Sequence, residues 1–150
     1  MTPFELRTIL VAVDFTETSD SAVEHAIALA KRSGGSVILM HAYEMPIYGF
    51  PDGALIASGD VAARISDAAQ SALDALVANH ASDGVPLRGL LRNGPPWEEA
   101  NAVADSESAD LIVIGTHGRK GLARALLGSV AEKIIRTSTR PVLTIRGPID

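Results

Sequence analysis

Thr8-Ile-Leu-Val-Ala-Val13-Asp14-Phe-Thr16-Glu-Thr-Ser-Asp-Ser21 carries the reading that decides the fold. Six nearly all apolar residues, rich in β-branched side chains, suit a central strand buried on both faces, and Asp14 ends it. The following Thr, Ser and Asp residues supply several helix caps, Ser21-x-x-Glu24 among them. Ala22, Val23, Ala26, Ile27, Leu29 and Ala30 then recur at helical spacing until Gly34-Gly35. A buried strand has passed directly into an amphipathic helix.

The same alternation repeats along the chain. Ser36 to Tyr43 reads as a second strand, and Asp60 to Ala81 as a second helix, with Ile65, Ala69, Leu73, Leu76 and Val77 about one turn apart. Val85 to Arg92 is a third strand, and Pro96, at a first helical position, starts a helix to Ser106. Asp110 to Ile114 is a fourth strand, a fourth helix follows Ser129, and Pro141 to Ile145 is a fifth strand. This order predicts a doubly wound α/β domain: a mainly parallel sheet covered on both faces, joined by right-handed crossovers. Ligands in such sheets bind beyond the carboxyl ends of the strands, where Asp14 and Gly115 both fall. Glu44 to Gly59 is longer than a usual connection and reads equally as a lid or as a surface insertion.

Composition bounds the function. At 150 residues, 47% apolar and 21% charged, the chain is expected to form one globular domain, residues 1–150. It has no cysteine, which excludes disulfides, thiolate metal sites and Cys nucleophiles. No secretory leader pattern occupies residues 1–14, so a cytoplasmic location is the default expectation. No apolar stretch reaches the roughly 20 residues needed to span a bilayer, and no membrane partner is expected. The net charge of −5 and 4% aromatic content make a nucleic-acid partner unexpected too.

The pattern that points to a ligand is Gly115-Thr-His117-Gly118, then nine residues, then Gly128-Ser129. Glycines let backbone N–H groups approach an anion without obstruction, and a helix opening at Ser129 presents unpaired amides that favour negative charge. Residues 115 to 146 also hold seven Lys or Arg against Glu132 alone, whereas the rest of the chain holds six basic and seventeen acidic residues. A phosphate is the natural occupant. Ser129-x-x-Glu132 equally reads as a capping box, a role compatible with phosphate contact. Asp14 likewise reads either as a cap or as a ligand contact. His25, His41 and His80 are dispersed and read as structural, leaving His117 as the one histidine in the candidate site.

Gly-x2-Gly-x9-Gly-Ser resembles the nucleotide-binding signature of the universal stress protein family, in its ATP-binding branch. The resemblance runs in order through Ile9-Leu-Val-Ala-Val-Asp14, Val37-Ile-Leu-Met-His41-Ala, Gly94-Pro-Pro, Leu126-Leu-Gly-Ser-Val-Ala-Glu132 and Arg140-Pro-Val-Leu143. It implies a five-stranded fold of the adenine nucleotide alpha hydrolase-like type, with strand order 3-2-1-4-5. It also implies ATP across the ends of strands one and four: Ala12, Val13 and Asp14 at the adenosine end, Ala42 at the base, Gly115, His117, Gly118 and Arg119 around the phosphates, and Gly128, Ser129 and Val130 closing the site. Ala12 departs from the proline many members carry there, at a position that contributes mainly backbone contact. Mg²⁺ or Mn²⁺ would arrive with the phosphates, and a homodimer through the last strand and an unidentified protein partner are implied.

The expected activity is a nucleotide-dependent switch or binding module in stress response, with slow ATP hydrolysis at most. The alternatives are an ATP-consuming enzyme, an ATPase or nucleotidyl-transfer relative, on the same scaffold, and a nucleotide-free interaction protein. Neither a P-loop pattern nor Gly-x-Ser-x-Gly is present.

Overall fold

The computed structural model describes residues 5–45, 59–116 and 128–147. The strands are β1 (Thr8–Ala12), β2 (Ser36–Tyr43), β3 (Leu87–Asn93), β4 (Leu111–Gly115) and β5 (Val142–Ile145). The helices are α1 (Glu17–Ser33), α2 (Gly59–Asn79), α3 (Pro96–Ser106) and α4 (Ser129–Thr137), with a 3-10 turn at Ala81–Asp83. The sheet order is β3-β2-β1-β4-β5, and every neighbouring pair is parallel. Expected order and expected class are both observed.

Strand alternation divides the core. Ile9, Val11, Val37, Leu39 and Val113 project to the face covered by α1 and α2, where they join Ala22, Val23, Ala26 and Leu73. Leu10, Ile38, Met40, Ile112 and Ile114 project to the face covered by α3 and α4, where they meet Ala100, Val103, Ala104, Ala131 and Ile134. Alanines repeated on α1 and α3 let both helices lie close to the sheet, burying the Ile and Leu side chains of β1, each fully, at about 1.5–3 kcal/mol apiece.

Local chemistry sets the boundaries. Thr16, not Ser21, caps α1: its side chain accepts the Ser19 N–H at 3.3 Å. Gly34 closes that helix at φ 73°, a conformation in which a side chain would be strained. α2 stops at Asn79 rather than Ala81, because residues 81–83 tighten into the 3-10 turn closed by Gly84. β3 begins at Leu87 rather than Val85, and just before it the Pro86 carbonyl accepts from Val37 N–H. The Glu44 to Gly59 connection lies, over residues 46–58, outside the described residues. Among the described residues no helix is long and apolar enough to cross a membrane.

Candidate functional site

β1 and β4 pair from Ile9–Leu111 to Ala12–Ile114, while β2 leaves β1 on its other side, so the sheet order reverses at the β1/β4 boundary. A cleft of about 580 Å³, open to solvent, lies at that boundary. Ala12, Val13 and Asp14 form the wall from β1; Met40, His41 and Ala42 form the wall from β2; Ile114, Gly115 and Thr116 form that from β4. Thr16, Thr18 and Ser19 of the β1–α1 turn, Pro96 of α3, and Gly128, Val130 and Ala131 at the start of α4 complete it.

The β1–α1 turn is a closed polar network. Asp14 Oδ1 accepts both the Thr16 N–H, at 3.0 Å, and the Thr16 hydroxyl, at 2.6 Å. Asp14 N–H donates to Ser19 Oγ at 3.1 Å, and Ser19 is 2% exposed. Asp14 therefore braces the residue that caps α1 and is not itself the cap. Its second carboxylate oxygen carries no hydrogen bond among the described residues, and the residue is exposed at the cleft. Phe15, between them, sits at φ 64°, a left-handed conformation unusual for a bulky side chain that costs roughly 1–3 kcal/mol and concentrates at functional sites.

The start of α4 corrects the expected capping box. Gly128 is the N-cap, Ser129 is the first helical residue, and no side-chain cap hydrogen bond forms. Glu132 pairs with Arg136 at 2.6 Å. The two charged side chains stand one turn apart, so Glu132 reaches forward along the helix instead of back to its start. The backbone returns only at Glu132 N–H, bonded to Gly128 C=O. The amides of Ser129, Val130 and Ala131 precede that first helical bond and face the end of the helix, the usual seat of an anion. Ser129 is exposed, with no hydrogen bond from its hydroxyl among the described residues.

Gly115 has a packing reason for being glycine. A Cβ there would lie 2.8 Å from both the Thr18 carbonyl oxygen and Thr18 Cγ2. It is the last residue of β4, in register with Ile145, so the strand runs one residue past Ile114 and ends at the glycine. His117, Gly118 and Arg119 lie outside the described residues, as do Lys120 and Arg124.

The remaining cations of the basic segment are engaged elsewhere. Arg136 pairs with Glu132, Arg140 binds Asp105 and the Ala109 carbonyl, and Lys133 lies 5.6 Å from the centroid of Trp97. Arg146 lines a shallow surface with Glu17, Asp20 and Glu24. None of these four lines the cleft. Helix pairing and the α3–β4 connection thus occupy Arg136 and Arg140 away from the cleft.

Sequence reasoning missed Thr18, Ser19, Met40, Thr116 and Pro96 as cleft residues, and it took His41 for a dispersed structural residue. Register supplies the missing signal: His41 stands next to Ala42 at the end of β2, one residue beyond Met40, which pairs with Ala12. Its Nδ1 lies 2.7 Å from the Val13 carbonyl.

Comparison with known proteins agrees with this architecture. The model of the universal stress protein family matches residues 5–146. Universal stress protein MJ0531 of Methanocaldococcus jannaschii is 32% identical over 146 residues, covering 95% of this chain and 83% of that protein. The solved structure of MJ0577 from the same organism superposes with a TM-score of 0.80 at 24% identity, covering 98% of this chain and 100% of that one. A universal stress protein solved in complex with cAMP gives a TM-score of 0.66 at 25% identity, covering 95% and 98%.

Proposed function

This chain belongs to the universal stress protein family, and from that premise we propose that its cleft binds an adenine nucleotide, ATP foremost, as a switch or binding module in the response to stress. One observation carries the reading: an uncapped helix start, an exposed carboxylate and an edge of β2 backbone line a single cleft at the point where strand order reverses. Each matches one part of a nucleotide. The free oxygen of Asp14 suits ribose hydroxyls, which donate to a carboxylate. Ala42 meets the base, Ala12 and Val13 flank it, and the amides of Gly128, Ser129 and Val130 take phosphate oxygens. Gly115, His117, Gly118 and Arg119 are assigned to the phosphates on the glycine signature. The relative bound to cAMP adds support for an adenine ligand.

A divalent ion would ride on the phosphates. Among the described residues no group of three or more His, Asp or Glu side chains is placed to hold one, and Asp14 is the single carboxylate lining the cleft. Magnesium is commonly held this way, by phosphate oxygens and water with few protein ligands, and Mn²⁺ shares that preference for oxygen. The ion would offset phosphate charge, while the helix amides orient the chain of phosphates. Hydrolysis is expected to be slow, because rapid phosphoryl transfer needs an oriented nucleophile as well as charge neutralisation.

We also assign β5 as the contact of a homodimer. It is the edge of the sheet beside β4, and Leu143 is 36% exposed on it. A cytoplasmic location fits this reading.

Denaturing the purified protein and identifying the released compound by chromatography tests the nucleotide assignment. Stoichiometric ATP, lost in Asp14→Ala and in Gly118→Val, is the expected result. No released nucleotide, with no binding heat and no thermal stabilisation by added ATP, would overturn it.

A further inference from the structure

Alternate residues of β2 turn their N–H and C=O toward β1. Ser36 does so, donating to the Arg7 carbonyl, and Met40 does so, accepting from Val13 N–H at 2.8 Å. The intervening residues face β3: Val37 donates to Pro86 and Tyr43 accepts from Gly94. By this parity Ala42 is the next residue facing β1. Regular continuation would bond its N–H to the Val13 carbonyl and its C=O to the Phe15 N–H.

Neither bond forms among the described residues. The Val13 carbonyl is instead engaged by His41 Nδ1 at 2.7 Å. A carbonyl has no proton to give, so Nδ1 carries the hydrogen and donates it. Phe15 turns away at φ 64°, and its ring packs 4.5 Å from that of His41, tilted by 42°. Ala42, 7% exposed on the cleft wall, is left with an N–H and a C=O that make no hydrogen bond to the described residues. Nearly all buried backbone groups are paired, so such a pair of groups at a cleft calls for a partner beyond the described residues, and a bound ligand can supply it.

We propose that His41 is a positioning residue for base recognition: by occupying the Val13 carbonyl it halts the β1–β2 ladder and reserves the Ala42 N–H and C=O for the Watson–Crick edge of adenine. The inference rests on the nucleotide-binding reading above. The complementarity is specific. Adenine offers N1 as an acceptor and its 6-amino group as a donor, matching an N–H beside a C=O. Hypoxanthine offers N1–H and O6 instead, which places donor against donor and acceptor against acceptor. The Phe15 ring fixes the imidazole, and the left-handed turn that places it withdraws the Phe15 N–H from Ala42.

Two measurements test this. Amide exchange by NMR on the wild-type protein should show Ala42 N–H exchanging freely without ligand, slowed by ATP and unaffected by tripolyphosphate. In equilibrium binding, the wild type should prefer ATP over inosine triphosphate, and His41→Leu should lower that preference by about tenfold, the scale of one hydrogen bond left unmade. Tripolyphosphate affinity should stay unchanged in His41→Leu, and His41→Gln, which keeps an N–H donor, should recover part of the preference. An Ala42 amide already protected in the free protein, or an unaltered ATP-to-inosine-triphosphate ratio in His41→Leu, would overturn the role of His41. If His41→Leu does not fold, the exchange measurement on the wild type decides alone. Absence of any nucleotide binding to the wild type would overturn the parent reading, and the role of His41 with it.

Discussion

Thr18 closes on Gly115 so tightly that a single added carbon has no room: its carbonyl oxygen and its Cγ2 each stand 2.8 Å from where a Cβ would be. The first turn of α1 is thereby seated on the end of β4, and the two elements that flank the cleft are held at a fixed spacing. Gly115→Ala should therefore cost about 1–3 kcal/mol in urea denaturation, the usual range for overpacking a core. Adding Thr18→Ser should return only part of the loss, since it removes the Cγ2 contact and leaves the carbonyl in place. Full recovery would mean that the backbone can retreat and that the spacing is not fixed.

Two hydroxyls at helix starts have opposite roles. Thr16 caps α1 and donates to Asp14, whereas Ser129 makes no cap on α4. Thr16→Ala should lower stability by about 1 kcal/mol, the typical cost of a lost cap. Ser129→Ala should change stability by less than about 0.5 kcal/mol, as surface substitutions do, and should weaken triphosphate binding by a few-fold. Thermal unfolding and titration calorimetry on both variants separate the two roles, and a large stability loss in Ser129→Ala would restore the capping box.

Much of the fold was legible before any coordinates, for a physical reason. β1, β2 and β4 are buried on both faces, so their apolar runs are unbroken, and Gly34 and Pro96 mark helix limits by properties of their own backbones. Ends set by tertiary contact were less legible: β3 starts at Leu87, and α2 stops at Asn79, short of the 3-10 turn at Ala81–Asp83. In the site, Asp14, Ala42 and Gly128 line the cleft, a position legible from their place at strand ends or a helix start. The position of His41 on the cleft wall was less legible, since its ring meets a carbonyl 28 residues away and no local pattern encodes that contact. Charge is visible in sequence, but the pairing of Arg140 with Asp105 and of Arg136 with Glu132 is not.

Asp14 divides its two oxygens between fold and ligand, and substitutions should separate them. Asp14→Asn keeps an oxygen to accept from Thr16, so its stability should stay within about 1 kcal/mol of wild type. It loses the anionic acceptor, and ATP affinity should fall about tenfold, in line with the greater strength of hydrogen bonds to charged groups. Asp14→Ala should lose both. Equal ATP affinity in Asp14→Asn and wild type would remove the carboxylate from the ribose contact.

The exposed side of β5 supplies the last test. Its residues alternate, with Val142 and Thr144 half-buried and Leu143 exposed, and Ile145 buried at the end. Arg140 secures the entry to this strand by binding Asp105 and the Ala109 carbonyl. A strand edge with an exposed apolar side chain is open to pairing with a second copy, and a closed two-fold dimer satisfies both edges at once. Leu143→Lys should leave the monomer fold intact, because the side chain projects outward, and should shift the protein from dimer to monomer in light scattering at micromolar concentration. Arg140→Met should instead lower stability, by about 1–3 kcal/mol for the loss of a charged hydrogen bond to a buried carbonyl. A wild-type protein that is already monomeric at that concentration would remove the dimer, while a dimer indifferent to Leu143→Lys would move its interface away from β5.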